Sequence, residues 1–580
     1  MNNNLIIGMA GAGGDGVVSA GDSLITALAI DKYHAVLTKS FGPQIRGGES
    51  SFKLRVSTET VLSIGEHLDM AIALNWDDFL KFGAELPISE QTIVVYDSNT
   101  GILPENIPVS GKPAKVFSIP IEEMAIKTAK TNRAKNVVVL GLISGWYGIA
   151  ESGIITGIRN KFTKKGPEVL KGNEDAFYEG VRYAKENPIS GKNILLDQPH
   201  PEAKNKLLTD GNDICAAAAL FAGCEFFGGY PITPSSEVMQ LINREIWKYG
   251  GSVIQMEDEI AGAASTVGAS FAGKKSFTAT SGPGMSLKSE VLGLATMAEL
   301  PMVIVNVQRG GPSTGIPTKS EQSDLFQACF SAHGDVVRPV IAPTDISDIF
   351  SMTVEAFNIA EYYQTPVIIL SDAELGQRKE IIDEIDTSKF KIIDRKKPSA
   401  EELENYTRFK FTADNISPIS HPGMFKGNYL AAGIEHTETG APTSGGEMHA
   451  KMIAKRTNKL NPLKSRQDLF IVEGDKDAEL ALISWGSSSG VTTEAFQIAR
   501  KSGLKVKLLI PKLIFPVAES VYNDFFKSVK KGLVVEQNFL GQLYHVARMF
   551  VKVPDGVQSF AKAGSSPFGA NEIVNKLKAL

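Results

Sequence analysis

Short apolar runs rich in β-branched residues alternate along this chain with longer stretches of helical period. In residues 1–186 the runs LIIGMA, SFKLRVS, MAIALN, TIVVYD and NVVVLGLI are separated by helix-like segments, the pattern of βαβ units building a largely parallel sheet. A strand over Leu5–Ala10 leads into a helix over Val17–Ile30, and a later helix ends near Glu186. Residues 187–208 turn polar and proline-containing and read as a linker. A second α/β series fills 209–376, with the helix GNDICAAAALFAG and the strands SVIQ, KSFTATS, PMVIVNVQ and TPVIILS. Residues 377–465 show no clear period and read as an irregular connecting arm. In 466–580, ELALISWGSSSGVTTEAFQIARKSGLKVKLLIP gives strand, Gly/Ser turn, helix and strand, followed by GLVVEQNFLGQLYHVARMF, a third α/β block. The expected fold is therefore multidomain α/β, with three unrelated blocks and no solenoid repeat.

Composition narrows what such a chain does. At 580 residues it exceeds the size at which single cores stop growing, so about three to four domains are expected. Sixty basic residues against 65 acidic ones, without long basic runs, argue against nucleic acid as a partner. The N-terminal MNNNLIIGMAGAGGDG lacks a cationic flank and is broken by glycines, unlike a signal peptide. The longest uncharged apolar stretch, Asn136–Ala150, is too short to cross a bilayer and contains Ser144 and three glycines. A cytoplasmic protein without a membrane anchor is expected. The only cysteines, Cys215, Cys224 and Cys329, are too few and too scattered for a [4Fe–4S] cluster, so any cluster belongs to another chain.

Gly11, Gly13 and Gly16 satisfy G-x-G-x-x-G between a strand and a helix, the context in which such a loop brings backbone amides to a diphosphate. The next strand, HAVLTKS, ends in Lys39 and Ser40 instead of the acidic residue that a nicotinamide ribose needs. With Arg46 in the following SFGPQIRGG, a phosphate-rich ligand such as coenzyme A fits better than NAD. The plain alternative is that the glycines only let helix and strand pack closely.

In the central block, Tyr230-Pro231-Ile232-Thr233-Pro234-Ser235-Ser236-Glu237 sets an extended turn before a helix capped by Ser235 or Ser236, and would hold Thr233 rigidly. A well-capped helix alone also accounts for the string. Glu257, Asp258 and Glu259 precede a helix of small residues expected to be buried on most faces. Three carboxylates favour a helix N-terminus, but one at the start of a buried helix is also what thiamine diphosphate chemistry needs, and Glu259 is the candidate. Thr280-Ser281-Gly282-Pro283-Gly284 follows a strand at the edge where open α/β sheets bind ligands, so Ser281 and Gly282 are candidates for backbone contact. Arg309, after PMVIVNVQ, opens the loop RGGPSTGIPT and is placed either to grip a carboxylate or to lie exposed and idle.

Together, YPITPSSE, MEDEIAGAAS, TSGPG and RGGPSTGIPT-x-x-E-Q-x-D-L resemble the α subunit of 2-oxoacid:ferredoxin oxidoreductases, especially the 2-oxoglutarate branch. GAGGDGVVSAG and SFGPQIRGG resemble that family's γ domain, and Glu536-Gln537-Asn538-Phe539-Leu540-Gly541-Gln542-Leu543 its transketolase C-terminal-like domain. The resemblance implies a γ-type domain handling coenzyme A, a pyrimidine-binding-type thiamine diphosphate domain and a transketolase-like domain. It implies that Thr233 and Arg309 hold the 2-oxoacid carboxylate, that Thr318 contacts substrate, and that Glu259 activates thiamine diphosphate, with Tyr230, Pro231 and Ile232 beside the cofactor. Mg²⁺, the diphosphate site and the [4Fe–4S] cluster would lie on a β subunit, in a dimer of heterodimers that passes electrons to ferredoxin. Gly14-Asp15-Gly16 is no diphosphate motif, because no Asn follows at the right spacing. The reaction the resemblance implies is oxidative decarboxylation of 2-oxoglutarate with coenzyme A to succinyl-CoA and CO₂, or the reverse carboxylation; the competing expectations are the same reaction on pyruvate or a broad range of 2-oxoacids, a non-catalytic assembly subunit, and a nicotinamide dehydrogenase.

Overall fold

The computed structural model of the chain describes residues 3–42, 48–189, 195–200, 202–564 and 566–580. It divides into two compact units, one running up to Thr209 with Arg378–Ile385, the other comprising Asp210–Gln377 and Asp386–Leu580.

The first unit is built on an eight-stranded sheet. Lys115–Ile119, Ile93–Asp97, Met70–Ala73 and Asn4–Gly11 lie side by side and parallel. Asn4–Gly11 then pairs antiparallel with Ser50–Ser57, which pairs antiparallel with His34–Phe41, which pairs antiparallel with Lys379–Asp383. The sheet is thus mixed, not largely parallel. Only eight residues separate Phe41 from Ser50, too few for a crossover, so SFKLRVS has to fold back on the strand before it. The run NVVVLGLI, expected as a strand, lies within a helix, Lys135–Tyr147, buried on nearly every face. Its glycines explain how. A Cβ on Gly141 would lie 2.1 Å from the Phe177 carbonyl oxygen, and one on Gly180 2.3 Å from that of Val138, so this helix and Pro167–Glu186 press backbone to backbone. Burial on all sides removes the periodicity that separates helix from strand.

In the second unit a seven-stranded sheet runs Leu513–Phe515, Val340–Ile341, Pro366–Asp372, Met302–Gln308, Ser276–Thr280, Phe226–Gly229, Ser252–Gln255. All neighbours are parallel except the first pair. Every residue of Met302–Gln308 and Pro366–Asp372 is buried, as expected of central parallel strands covered on both faces. A five-stranded sheet holds Phe470–Gly474, Val506–Pro511, Leu480–Ser484, Lys531–Glu536 and Gly556–Ala561, and the same C-terminal stretch lends Leu513–Phe515 to the larger sheet. The 377–465 stretch is less irregular than expected, since it supplies Lys379–Asp383 to the first sheet and forms a helix, Gly446–Asn458. The helix Glu259–Phe271 is not buried on most faces. Glu259, Gly262, Ala263, Thr266, Val267 and Ser270 make one buried stripe, while Ile260, Ala264 and Gly268 are exposed.

Candidate active site

The segments singled out in the central block all leave the C-terminal ends of neighbouring parallel strands, so the topology gathers them at one sheet edge. After Phe226–Gly229 the chain passes through Tyr230–Ser235 into the helix Ser236–Glu245. Ser235 occupies the cap position without capping. Its Oγ instead donates to the Ile232 carbonyl at 3.0 Å, tightening the turn. Asn212 Nδ2 donates to the Pro234 carbonyl at 2.7 Å and to Glu237 Oε2 at 3.2 Å, pinning the segment from below. Tyr230, Pro231 and Thr233 are exposed and Ile232 is half-buried.

Arg309, at the end of Met302–Gln308, is buried, and its Nη1 donates to the Thr233 carbonyl at 2.5 Å. Its Nε meets no acceptor among the described residues. Burial pulls its pKa below the usual arginine value, and the Asp324 charge partly offsets this. Burial likewise pushes the Asp324 carboxyl up to about 6. Asn306 Nδ2 donates to Asp324 Oδ2, and the Asp324 amide to Gln308 Oε1, each at 3.0 Å. A Cβ on Gly282 would come within 2.9 Å of Asp324 Oδ2, so the glycine makes room for that carboxyl at the TSGPG turn. Ser281 is fully buried, and its Oγ, like Asn306 Oδ1 and Ser323 Oγ, lacks a partner among the described residues. Buried polar atoms left open at one edge are what a polar ligand would satisfy.

The loop after Arg309 folds on itself. Gly310 N donates to the Lys319 carbonyl at 2.9 Å and Ile316 N to the Gly310 carbonyl at 2.8 Å. Gly315 sits at a φ of +55° where a Cβ would strike the Gly310 carbonyl oxygen, so only glycine closes this turn. Thr318 is exposed on the loop, with no hydrogen bond to Arg309 or Thr233.

Of the three consecutive carboxylates, Glu257 is exposed and Asp258 caps the helix, its Oδ1 accepting from the Ala261 amide at 2.8 Å. Glu259 alone is buried, at 8% exposure, and its carboxylate accepts no hydrogen bond among the described residues. Gly284 opens the space it uses, since a Cβ there would lie 2.7 Å from Glu259 Cγ. Beneath it the fully buried Lys288 donates from Nζ to the Glu259 backbone carbonyl at 2.9 Å.

Behind this edge two sequence motifs interlock. Gln322 is fully buried. Its Nε2 donates to the Trp485 carbonyl at 2.7 Å, and its Oε1 accepts from Ser488 Oγ at 2.6 Å and from the Gln537 amide at 2.9 Å. Glu536, also fully buried, accepts from Asn538 Nδ2 and from the Leu543 and Tyr544 amides, although burial still raises its pKa. Gln542 Nε2 donates to the Ser323 carbonyl at 2.7 Å. The C-terminal motif thus carries the segment ending in Asp324. Sequence reasoning gave no role to Asp324 or Gln322, though both lie in a string it quoted, and passed over Lys288.

The glycine loop belongs to the first unit. Gly11 ends its strand, Gly13 is exposed, and Gly16 precedes the helix at a φ of +77°. A Cβ would bring Gly11 within 2.9 Å of Asp15 Oδ2 and Gly16 within 2.7 Å of Asn136 Nδ2. Asp15 Oδ2 itself accepts from the Ala12 amide at 2.9 Å, and its Oδ1 pairs with Lys135 at 3.0 Å. A phosphate in this loop would have to compete with that carboxylate. Lys39 pairs with Asp22 at 2.7 Å, and Arg46 lies outside the described residues.

Among the described residues no three His, Cys, Asp or Glu side chains are grouped to hold a metal, and no helix is long and apolar enough to cross a membrane. All three cysteines are buried, and burial raises their thiol pKa values.

Comparison with known proteins agrees along the whole chain. Residues 217–455 match the family model for the thiamine diphosphate-binding domain of pyruvate flavodoxin/ferredoxin oxidoreductases. Residues 6–183 match that for pyruvate ferredoxin/flavodoxin oxidoreductase, and 478–573 that for core domain II of pyruvate:ferredoxin oxidoreductase. The 2-oxoglutarate oxidoreductase subunit KorA of Mycobacterium tuberculosis is 31% identical, with 99% of this chain and 91% of the relative aligned. The 2-oxoglutarate synthase subunit KorA of Methanocaldococcus jannaschii is 38% identical, over 61% of this chain and 94% of its own length. A solved 2-oxoglutarate:ferredoxin oxidoreductase of Magnetococcus marinus, with 2-oxoglutarate, coenzyme A and succinyl-CoA bound, superposes with a TM-score of 0.94 at 39% identity, covering 100% of both chains.

Proposed function

The chain belongs to the 2-oxoacid:ferredoxin oxidoreductase family, and from that premise we propose that it is the subunit of a thiamine diphosphate-dependent 2-oxoglutarate:ferredoxin oxidoreductase that carries the substrate-carboxylate and aminopyrimidine side of the site. The reaction takes 2-oxoglutarate, coenzyme A and oxidised ferredoxin to succinyl-CoA, CO₂ and reduced ferredoxin, and runs in reverse as a carboxylation. Its electrons go to ferredoxin, an acceptor in keeping with a cytoplasmic location.

The observation that carries this reading is the buried, unpaired carboxylate of Glu259 on the same sheet edge as the buried Arg309. A carboxylate kept from water and left without a protein donor fits the aminopyrimidine ring of thiamine diphosphate, with which it exchanges a hydrogen bond. When bound, thiamine diphosphate supplies the nucleophile and electron sink for decarboxylating a 2-oxoacid. Glu259 holds or releases the proton at the ring nitrogen. Tyr230, Pro231, Ile232, Ser281 and Gly282 line the approach to that ring. Arg309, anchored through Nη1 to the Thr233 carbonyl, presents its remaining N–H groups to the substrate carboxylate, and Thr233 and Thr318 offer hydroxyls to it.

The Mg²⁺–diphosphate site and the [4Fe–4S] cluster belong to a β subunit, in keeping with three separately buried thiols here. The first unit handles coenzyme A; with Asp15 seated in the glycine loop, contacts there require that carboxylate to yield or lie elsewhere in the unit.

The test is reduction of ferredoxin or a viologen dye by this chain co-expressed with its β subunit, comparing 2-oxoglutarate with pyruvate in the presence of coenzyme A. Turnover with 2-oxoglutarate in preference to pyruvate is expected, with a loss on the order of 10²–10⁴ in kcat for Glu259→Gln. Undiminished turnover in that variant overturns the role of Glu259, and absence of turnover with any 2-oxoacid overturns the reading as a whole.

A further inference from the structure

Lys288 lies at this edge and has no part in the reading above. It lies in the helix Gly282–Met297, on the stripe Met285, Lys288, Leu292, Ala295 whose other members are apolar and buried. It is itself fully buried. An ammonium in such a place is costly unless it is compensated, and a methionine would fill the same space without that cost. Compensation by geometry is thin. Among the described residues its hydrogen bond is to the Glu259 carbonyl, and no carboxylate oxygen lies within ion-pair distance. Its position beside the first turn of Glu259–Phe271 is also the end of a helix that disfavours a cation. The charged groups acting on it are the carboxylates of Glu259 and Asp258, and burial outweighs both, lowering its pKa to about 8.

We propose that Lys288 is a positioning residue for Glu259. Its ammonium fixes the start of the Glu259 helix through the backbone carbonyl and sets a positive charge beside the Glu259 carboxyl. The inference rests on the reading of Glu259 as the group that meets thiamine diphosphate. The sign follows from charge alone: a neighbouring cation favours the carboxylate, so removing it raises the pH at which the carboxyl and the ring nitrogen it faces share a proton.

The experiment uses the complex with the β subunit, reconstituted with thiamine diphosphate and Mg²⁺, and compares wild type, Lys288→Met, Lys288→Arg and Glu259→Gln. The near-ultraviolet circular dichroism of the bound cofactor, which distinguishes its neutral and protonated ring forms, is followed against pH together with kcat and KM. Lys288→Met is expected to move the dichroism midpoint up by about one unit, with the acid limb of kcat following and KM for 2-oxoglutarate within about twofold. Lys288→Arg, which keeps the cation, is expected to stay near the wild-type midpoint. An unchanged midpoint in Lys288→Met overturns the proposal, as does an equal shift in both Lys288 variants, which would mark a packing role. If Lys288→Met fails to assemble, Lys288→Gln, which keeps a donor without the charge, decides in its place: a raised midpoint supports the proposal and a wild-type one overturns it. A dichroism titration unaffected in Glu259→Gln would instead remove the reading of Glu259 on which this rests.

Discussion

Asp324 shows how one buried carboxyl at this edge trades stability for position. Its pKa is raised to about 6 chiefly by burial, which the Asn306 hydrogen bond and the Arg309 charge only partly counter. A carboxyl raised in the folded state binds more protons there than in the unfolded chain, so its contribution to stability is present at low pH and is lost as pH rises from about 4 to 6. Replacing it by Asn keeps an oxygen for the Asn306 amide and removes the charge. Asp324→Asn is therefore expected to raise the melting temperature at pH 7.5 and to leave it nearly unchanged at pH 4, the difference corresponding to about 3 kcal/mol. An equal effect at both values would mean that the charge is not what strains the site. Activity should fall in the same variant, because Arg309 loses the anion beside it. Three carboxylates before a run of small residues made Glu259 a candidate in sequence, but a helix N-terminus accounts for such a run equally well, and it took the fold to show that Glu259 alone of the three is buried. Lys288 was legible in principle, as a lysine on an otherwise apolar helical stripe. Asp324 was not, because its significance lies in Gly282 and Asn306, which come to it only through the sheet.

At the scale of elements, short β-branched runs bounded by glycine or polar residues read correctly as strands even where both faces are buried. LIIGMA, SVIQ and PMVIVNVQ form strands, and the helix expected over Val17–Ile30 has those bounds. The misread element, Lys135–Tyr147, is buried all round and carries no face to read. The short strand Leu513–Phe515 and the strand Lys379–Asp383 lay outside what sequence could order, since each joins a sheet distant in the chain. The clamp of Glu321–Leu325 by Glu536–Leu543 is of the same kind: each motif was visible, their contact was not. It predicts a specific cost. Gln322→Ala strands the Gln537 amide and the Ser488 hydroxyl in a dry interior, and each unmet group is worth about 1–3 kcal/mol. Chemical denaturation should show a loss of that order, accompanied by a rise in KM for 2-oxoglutarate as the segment carrying Asp324 and Arg309 loosens. A variant with normal stability and normal KM would show that the clamp does not support the site.

At the scale of the whole molecule, the proposed function makes the chain one side of an active site. Glu259, Arg309 and the open polar atoms of Ser281 and Asn306 face an edge where the chain offers no metal-holding group among its described residues. A diphosphate is held in such enzymes through a divalent cation, so the chain alone has little with which to bind that end of the cofactor. Ligand binding stabilises only the species that binds, by about 2.7 kcal/mol at a hundredfold excess over Kd. Saturating thiamine diphosphate with Mg²⁺ should therefore leave the melting temperature of the isolated chain unmoved and raise that of the complex with the β subunit by several degrees. The isolated chain should also lack the visible absorbance of an iron–sulfur cluster and fail to reduce ferredoxin, and both should appear on adding the β subunit. A cofactor-dependent shift in the chain by itself would mean that it carries a complete thiamine diphosphate site, and the division of labour proposed between the two subunits would have to be redrawn.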